Sequence, residues 1–167
     1  VAEVFGWDNL LYSLAKVSVV MKDGCASFNP KAARIEMGEK HNETMSPRVQ
    51  AVKELFERAG IRTVVPEDME RAIWYKYMCN VSENQSAAVL GIPFGAWSVS
   101  ADANFIREEL MREVIAIARK KGISLSERDM EKQASILRDV PPENKPSTLQ
   151  DIEAGRKTEV EMFGEIG

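Results

Sequence analysis

Three polar residues at regular helical spacing form the first candidate site in the sequence. Lys76, Asn80 and Asn84 follow one another at four-residue intervals in the stretch IWYKYMCNVSENQ, and an α-helix places them within an arc of about 80°. One ammonium and two amides offer a cation with several oriented hydrogen-bond donors and acceptors, which suits a small anion or a carbonyl group. A lysine can also serve as a general acid where burial lowers its pKa toward the working pH. The alternative is an ordinary solvated helix face.

A second candidate site is the stretch KPSTLQDIEAGRKTEV, residues 145–160. Taken as one helix, it collects small and polar residues on one side, namely Ser147, Asp151, Ala154, Gly155 and Thr158. A glycine inside a helix costs about 1 kcal/mol relative to alanine, so Gly155 suggests that a ligand or another helix approaches this side closely. Ser147 is expected to cap the helix, and a serine there can also hold an anion together with free backbone N–H groups.

Glu159 lies at the edge of this small-residue side and could pair with Lys76, setting the proton affinity of the ammonium. The alternative is that Ser147 only caps the helix, that Asp151 only favours its positive end, and that Glu159 is solvated. The sequence leaves both interpretations open, because a capping residue can also bind a ligand.

The composition excludes several other kinds of site. His41 is the only histidine, and the chain has two cysteines, Cys25 and Cys79, far apart in the sequence. Neither a zinc-binding spacing nor a catalytic triad involving several histidines is therefore expected, and we predict no metal site and two reduced thiols. The sequence also lacks a G-x-G-x-x-G or Walker-type loop, so these residues alone give no indication of a bound nucleotide.

Charge and hydropathy limit the partners further. The net charge of −4 and the isoelectric point of about 5.2 argue against nucleic-acid binding. The apolar runs are far shorter than the ~20 residues of a membrane span, and the first residues do not resemble a signal peptide. We therefore expect a cytoplasmic protein with neither a nucleic-acid nor a membrane partner. A length of 167 residues, 44% of them hydrophobic, suits one globular domain or one and a part.

Residues 1–66 are predicted to form a mixed α/β region. The expected strands are a hairpin around Asp23 and Gly24, ARIEM over 33–37, and IRTVV over 61–65. Ser46 is expected to cap a helix with Pro47 in its first turn and Gly60 at its end. The short VPED connects this region to the next.

Residues 67–167 are predicted to be helical throughout. The expected helices run from 67 to 90, ended by Gly91; from Ala101 or Asp102 to Lys121; from Ser126, with Asp129 completing a capping box, to before Pro141; and from Ser147, with Gln150 as a further capping-box residue. Both ends of the sequence read as incomplete elements, which favours a fragment of a larger protein.

The two candidate sites together resemble the ketopantoate reductase (2-dehydropantoate 2-reductase) family. Trp74, Lys76, Asn80 and Asn84 form its first motif, and Ser-x-x-Gln-Asp leading to Thr-Glu, within residues 147–159, forms its second. The resemblance implies an α+β fragment: the distal part of a Rossmann-type dinucleotide-binding domain over 1–66, and over 67–167 an all-α domain of the 6-phosphogluconate dehydrogenase C-terminal-like type. It also implies that the glycine-rich phosphate loop belongs upstream of Val1 and that a further helix pair usually follows the last residue.

The resemblance implies a reaction and a role for each residue. Family members reduce 2-dehydropantoate to pantoate with NADPH, in the biosynthesis of pantothenate and coenzyme A. By resemblance, Lys76 is the general acid, Asn80 and Asn84 hold the hydroxyl and carbonyl oxygens of the substrate, Ser147 binds its carboxylate, and Glu159 contacts substrate and cofactor and orients or charge-pairs with Lys76. Asp151 matches the motif but is given a structural role.

Three further expectations remain open at this stage. The chain is expected to be inactive alone, because the main cofactor-binding loop is missing. The substrate could be another small 2-keto acid, since Lys76 and Glu159 define the reaction better than they define the substrate. From a different class, the chain could be a non-catalytic helical dimerisation module. A homodimer is one candidate assembly, and the sequence leaves the oligomeric state open.

Overall fold

The computed structural model describes residues 1–17, 19–22, 24–31 and 33–165, and it divides into two compact units, Val1–Ile73 and Trp74–Gly167. Among the described residues, all the strands belong to the first unit, and the second is helical. A mixed α/β region followed by helices is the arrangement that the sequence predicts. The division falls within one helix, Met69–Cys79.

The first unit contains one sheet and one separate hairpin. Its strands are β1 (Tyr12–Lys16), β2 (Val19–Lys22), β3 (Cys25–Phe28), β4 (Arg34–Gly38) and β5 (Thr63–Val64). The sheet has the order β1-β4-β5, with β1 antiparallel and β5 parallel to β4, while β2 and β3 pair with each other. The predicted strands are confirmed, although β5 is shorter than expected and β1 was not predicted. Asp23 of the predicted hairpin turn lies outside the described residues.

The helices of the first unit are the short α1 (Ala2–Phe5) and α2 (Pro47–Arg58). The Ser46 side chain accepts a hydrogen bond from the Val49 backbone N–H at 3.3 Å, and Pro47 occupies the first turn, so the predicted start of α2 is confirmed. Since β4 and β5 are parallel, α2 is the crossover connection between them.

The second unit is built from helical segments joined by short turns. They are α3 (Met69–Cys79), which begins in the first unit, a π-helical segment (Asn80–Gln85), α4 (Ser86–Leu90), α5 (Ala96–Val99), α6 (Ala101–Lys120), α7 (Glu127–Arg138), α8 (Ser147–Glu153) and α9 (Val160–Glu165). The predicted ends at Gly91 and Gly122 are confirmed, with φ of 65° and 80° respectively. The capping box at the start of α7 is present, because the Ser126 backbone N–H donates to the Asp129 carboxylate at 2.9 Å.

Two details of the stretch 145–160 were predicted wrongly. The helix ends at Glu153, and Gly155 lies beyond it in the left-handed region, with φ of 65°. The Arg156 N–H donates to the Asp151 carbonyl at 2.8 Å and the Gly155 N–H to the Ile152 carbonyl at 3.0 Å, which is the Schellman pattern of a helix end. Gly155 therefore terminates α8, and a Cβ added there would meet nothing within 4 Å. It does not mark a close approach.

Ser147 is the second correction. It is the first residue of α8 rather than its cap, because Pro146 takes the capping position with ψ of 153° and its carbonyl accepts from the Gln150 N–H at 3.1 Å. No side-chain capping bond is made at this helix end. The Ser147 hydroxyl therefore remains available for other contacts.

A core of apolar side chains holds α3, α6 and α7 together. Its buried members are Tyr75, Met78, Met111, Val114, Ile115, Ala118, Ile123, Leu125 and Met130. Most of those on α6 recur every three or four residues, which places them on one face of that helix. In the described part of the chain, no helix is both long and apolar enough to cross a membrane. Neither Cys25 nor Cys79 takes part in a disulfide bond among the residues that the structure describes.

Candidate substrate site on the α3–α4 helix

The segment that carries Lys76, Asn80 and Asn84 is not a uniform α-helix. Lys76 lies in the last turn of α3, and both asparagines lie in the π-helical segment. In an α-helix, the side chain at position i+4 is rotated by a full turn plus about 40° relative to position i. In a π-helix, which has more residues per turn, the same step is slightly less than a full turn. The two deviations partly cancel, so Asn84 stays above the face that begins at Lys76. The helix geometry beneath the predicted polar stripe therefore differs from the uniform α-helix that the sequence predicts.

The structure brings the two sequence motifs together at one contact. The Asn84 side-chain amide donates a hydrogen bond to the Ser147 hydroxyl at 3.2 Å, across 63 positions of sequence. Helix α8 contacts both the π-helical segment and α4, which places its first turn beside the asparagine. Asn84 is half-buried and Ser147 is exposed, so a small molecule can reach both side chains.

Lys76 and Asn80 complete the stripe with side chains that are half-buried. Among the described residues, the Lys76 ammonium has no hydrogen-bond or ion-pair partner. Lys76, Asn80 and Asn84 provide one ammonium and two side-chain amides along one helix, and α8 adds the Ser147 hydroxyl next to Asn84. Such a set can hold a carboxylate and polarise a carbonyl group.

Glu159 is not brought to Lys76 as an ion pair. It lies immediately before α9, its carboxylate is exposed, and its backbone carbonyl accepts a hydrogen bond from the Phe163 N–H at 3.3 Å. Asp151 instead pairs with Arg156, whose Nη2 lies 2.7 Å from its carboxylate. This contact joins the last turn of α8 to the segment that follows the helix, which agrees with the structural role expected for Asp151.

Beneath the stripe lies a buried polar network that sequence analysis did not find. The Glu83 carboxylate is 5% exposed and accepts hydrogen bonds from the Gln133 side-chain amide at 2.9 and 3.1 Å. Gln133 in turn accepts a bond from the Tyr75 hydroxyl at 2.8 Å. The buried Arg107 guanidinium lies 3.7 Å from Glu83 and is held by bonds of 2.8 and 3.1 Å to Asn104. The network links α3, the π-helical segment, α6 and α7.

A uniform α-helical spacing does not predict this network. Measured from Trp74 at 100° per residue, Glu83 falls at about 180°, on the polar side next to Lys76. In the structure Glu83 lies in the π-helical segment and is buried, together with Ser82 and Ser86. The two serine hydroxyls are satisfied by the backbone carbonyls of Met78 and Ser82, one turn earlier.

The network contains groups with altered proton affinity. Burial raises the pKa of the Glu83 carboxyl from its ordinary 4.5 to about 7, against the opposing effects of the Gln133 hydrogen bond and the Arg107 charge. Burial also raises the pKa of the Tyr75 hydroxyl, which keeps that group a neutral hydrogen-bond donor. Within the described residues, no cluster of histidine, cysteine, aspartate or glutamate could hold a metal ion.

Comparison with known proteins assigns the helical part of the chain. Residues 68–165 match the family model "Ketopantoate reductase PanE/ApbA C terminal". Among curated proteins, the chain is 34% identical over 115 residues to the 2-dehydropantoate 2-reductase of Pyrococcus horikoshii and 30% identical over 116 residues to that of Halobacterium salinarum. These matches cover 69% and 70% of this chain, respectively.

A similar fold occurs in a solved structure. The 2-dehydropantoate 2-reductase of Geobacter metallireducens GS-15 superposes with a TM-score of 0.83 at 24% identity, over 96% of this chain and 53% of that one. This chain spans 38% of the length of each of the two curated relatives. Because the family model covers more than half of its residues, the chain belongs to the ketopantoate reductase family.

Proposed function

We propose that this chain supplies the substrate-binding and proton-donating side chains of an oxidoreductase that reduces 2-dehydropantoate to pantoate with NADPH, a step of pantothenate and coenzyme A biosynthesis. The observation that carries the proposal is the Asn84–Ser147 hydrogen bond of 3.2 Å, which joins the two motifs of the family resemblance on one surface. Family membership supports the class of reaction. The polar stripe supports a small, anionic substrate with a carbonyl group.

In the proposed mechanism, the side chains of this chain bind the keto acid and neutralise its oxygen. NADPH, when bound, supplies the hydride that reaches C2. The C2 oxygen then gains negative charge, which the Lys76 ammonium stabilises and neutralises by donating a proton. Asn80 and Asn84 hold the hydroxyl and carbonyl oxygens of the substrate, and the Ser147 hydroxyl binds its carboxylate. Each contact uses a donor that the structure leaves half-buried or exposed.

The residues of this chain fit the substrate better than they fit the cofactor. The sequence has no glycine-rich loop for the phosphates of NADPH, so on its own the chain is expected to be inactive. The parallel pair β4 and β5 with α2 between them supports the assignment of 1–66 to the distal part of a Rossmann-type domain. We assign 67–167 to the catalytic domain of the 6-phosphogluconate dehydrogenase C-terminal-like type, on the basis of the family resemblance.

Glu159 is proposed to contact the substrate and the cofactor. Its carboxylate is exposed and makes no ion pair among the described residues, so it is available to a ligand. A charge-pairing role toward Lys76 then requires that the segment before α9 moves when the ligands bind.

We also propose a cytoplasmic homodimer, supported by exposed apolar side chains at Val89, Val99 and Phe105.

The test is NADPH oxidation in the presence of 2-dehydropantoate, with this chain expressed together with any flanking sequence that its gene encodes. Lys76→Ala is expected to lower the rate by about 10²–10⁴-fold, the usual contribution of a general acid, and to leave NADPH binding intact. Lys120→Ala, at an exposed position of α6, is the matched control and should keep full activity.

Three results would redirect the proposal. Turnover of a different 2-keto acid in preference to 2-dehydropantoate would keep the reaction and change the substrate. Equal activity of Lys76→Ala and the wild type would remove Lys76 as the acid. Absence of both turnover and NADPH binding, together with a dimer in sedimentation experiments, would favour the non-catalytic dimerisation module.

A further inference from the structure

Glu83 and Asn84 are chain neighbours with opposite surroundings. Glu83 is buried and hydrogen-bonded to Gln133, whereas Asn84 is half-buried and reaches the Ser147 hydroxyl. Successive residues of a helix project roughly a quarter turn apart. The rotation of the π-helical segment about its axis therefore determines the direction of both the Glu83 and the Asn84 side chain.

Glu83 is the polar anchor of that rotation. Gln133 donates to both carboxylate oxygens, at 2.9 and 3.1 Å, and Arg107 lies 3.7 Å away on another helix. A buried carboxylate that loses these partners is strongly destabilised, so a rotation that breaks them is resisted. Ser82, the other buried polar side chain of the segment, and Ser86, which follows the segment at the start of α4, donate to backbone carbonyls of their own helix. They therefore do not fix it against α6 or α7.

A π-helical segment needs such an anchor. Its hydrogen bonds span five residues instead of four, it is rare, and it persists where tertiary contacts favour it over a regular α-helix. A regular α-helix would turn Glu83 toward the polar side and change the direction of Asn84. The bonds from Gln133 thus select the helix geometry that presents Asn84 to Ser147.

We propose that Glu83, held by Gln133, is a positioning residue that orients Asn84 toward Ser147 and thereby shapes the carboxylate and carbonyl subsite of the keto acid. The part of this inference that concerns the keto acid rests on the proposed function. The part that concerns the orientation of Asn84 does not, and the two parts can be tested separately.

The orientation is tested on the 167-residue chain without any ligand. The probe is the Asn84 side-chain amide in a nitrogen-15 NMR spectrum, compared with Ser147→Ala, which removes its hydrogen-bond acceptor. Glu83→Leu, which stays buried but cannot accept from Gln133, should shift this resonance as Ser147→Ala does. Glu83→Gln, which keeps an acceptor for Gln133, should leave it near its wild-type position. Gln133→Asn, one methylene too short to reach Glu83, is a milder second variant and should act like Glu83→Leu.

An unchanged Asn84 resonance in both Glu83→Leu and Gln133→Asn, with the fold retained, would overturn the inference. Tyr75→Phe is the control for general loosening, because it removes another bond of the same network without touching Glu83. If Tyr75→Phe shifts the resonance as much as Gln133→Asn does, the effect is loss of rigidity and the positioning role is refuted.

The consequence for the keto acid is tested by kinetics on the active protein. Gln133→Asn should raise the KM for 2-dehydropantoate by about tenfold, comparable to one hydrogen bond, with little change in kcat, because Asn84 binds the ground and transition states alike. If the NMR shift occurs but Asn84→Ala leaves KM unchanged, the orientation holds and the assignment of Asn84 to the substrate falls. If Asn84→Ala raises KM and Gln133→Asn does not, the positioning role falls and the proposed function stands.

Discussion

The raised pKa of Glu83 predicts that the second unit becomes less stable as pH rises through the neutral range. The folded-state pKa of about 7 lies above the ordinary value of 4.5, so between these two values the folded protein binds a proton that the unfolded chain has lost. Stability due to this group is fully present below pH 4.5 and is lost as pH rises through about 7. At 1.36 kcal/mol for each pH unit, the difference corresponds to about 3 kcal/mol.

The assay is urea unfolding of the wild type and of Glu83→Gln at several pH values. Of the three tryptophans, Trp74 and Trp97 belong to the second unit, so a Trp7→Phe background makes the fluorescence report on that unit. Glu83→Gln cannot titrate but can still accept from Gln133. The wild-type free energy of unfolding, minus that of the variant, should fall by about 3 kcal/mol between pH 4.5 and about 7. Above that range it should level off.

Subtracting the variant removes the contribution of every other carboxyl group and the constant cost of the substitution. The charged group that faces Glu83 is Arg107 on α6, and the Tyr75 hydroxyl reaches it through Gln133. Glu131→Gln, at an exposed position of α7, is the control for the substitution itself, because it lies outside the buried network. A difference that stays constant for Glu83→Gln, or rises with pH, would refute the reasoning, because burial would then not dominate the charge of Arg107.

Three further predictions concern single side chains. Met111→Ala should lower the free energy of unfolding by about 2–5 kcal/mol, because Met111 is fully buried in the α3–α6–α7 core. Urea unfolding measures this loss. The control is Met162→Ala, at an exposed position of α9, which should lower the free energy of unfolding by less than about 0.5 kcal/mol. Gly155→Ala should destabilise the protein by about 1–2 kcal/mol in thermal unfolding, since the φ of Gly155 is 65°. Gly155→Asn should destabilise it less. Equal stability of the two variants would contradict a left-handed conformation at this helix end. Burial by itself would raise the pKa of the Glu36 carboxyl, but the hydrogen bonds and charges of Lys16 and Arg34 together outweigh it and lower the pKa. Its stabilisation is therefore present above pH 4.5 and lost as pH falls through its folded-state pKa. Hydrogen exchange of the β1 and β4 amides should accordingly be faster in Glu36→Gln at neutral pH, with the difference shrinking in acid.

Local sequence signals determined most elements of this protein. Ser46 with Pro47, Ser126 with Asp129, and the glycines at 91 and 122 correctly predicted where helices begin and end, because each acts through backbone groups within a few residues of itself. The same holds for β4, which the alternation of apolar and charged side chains correctly predicted as a strand, although the structure buries both Glu36 and Met37, which point to opposite faces. The spacing of Lys76, Asn80 and Asn84 is likewise a local signal, since predicting a stripe from it needs only the helical period.

Tertiary structure decided what the helical period could not show. Gly155 was misread because a glycine within a helical pattern and a glycine just beyond a helix end look alike until the chain direction after it is known. The contact between Asn84 and Ser147 joins positions far apart in the chain, so only the packing of α8 could bring it about. Glu83 lies on the polar side of an ideal α-helix, yet partners on α6 and α7 bury it within a π-helical segment. The interactions that favour the π-helical geometry involve residues elsewhere in the sequence, so local helix propensity cannot predict it.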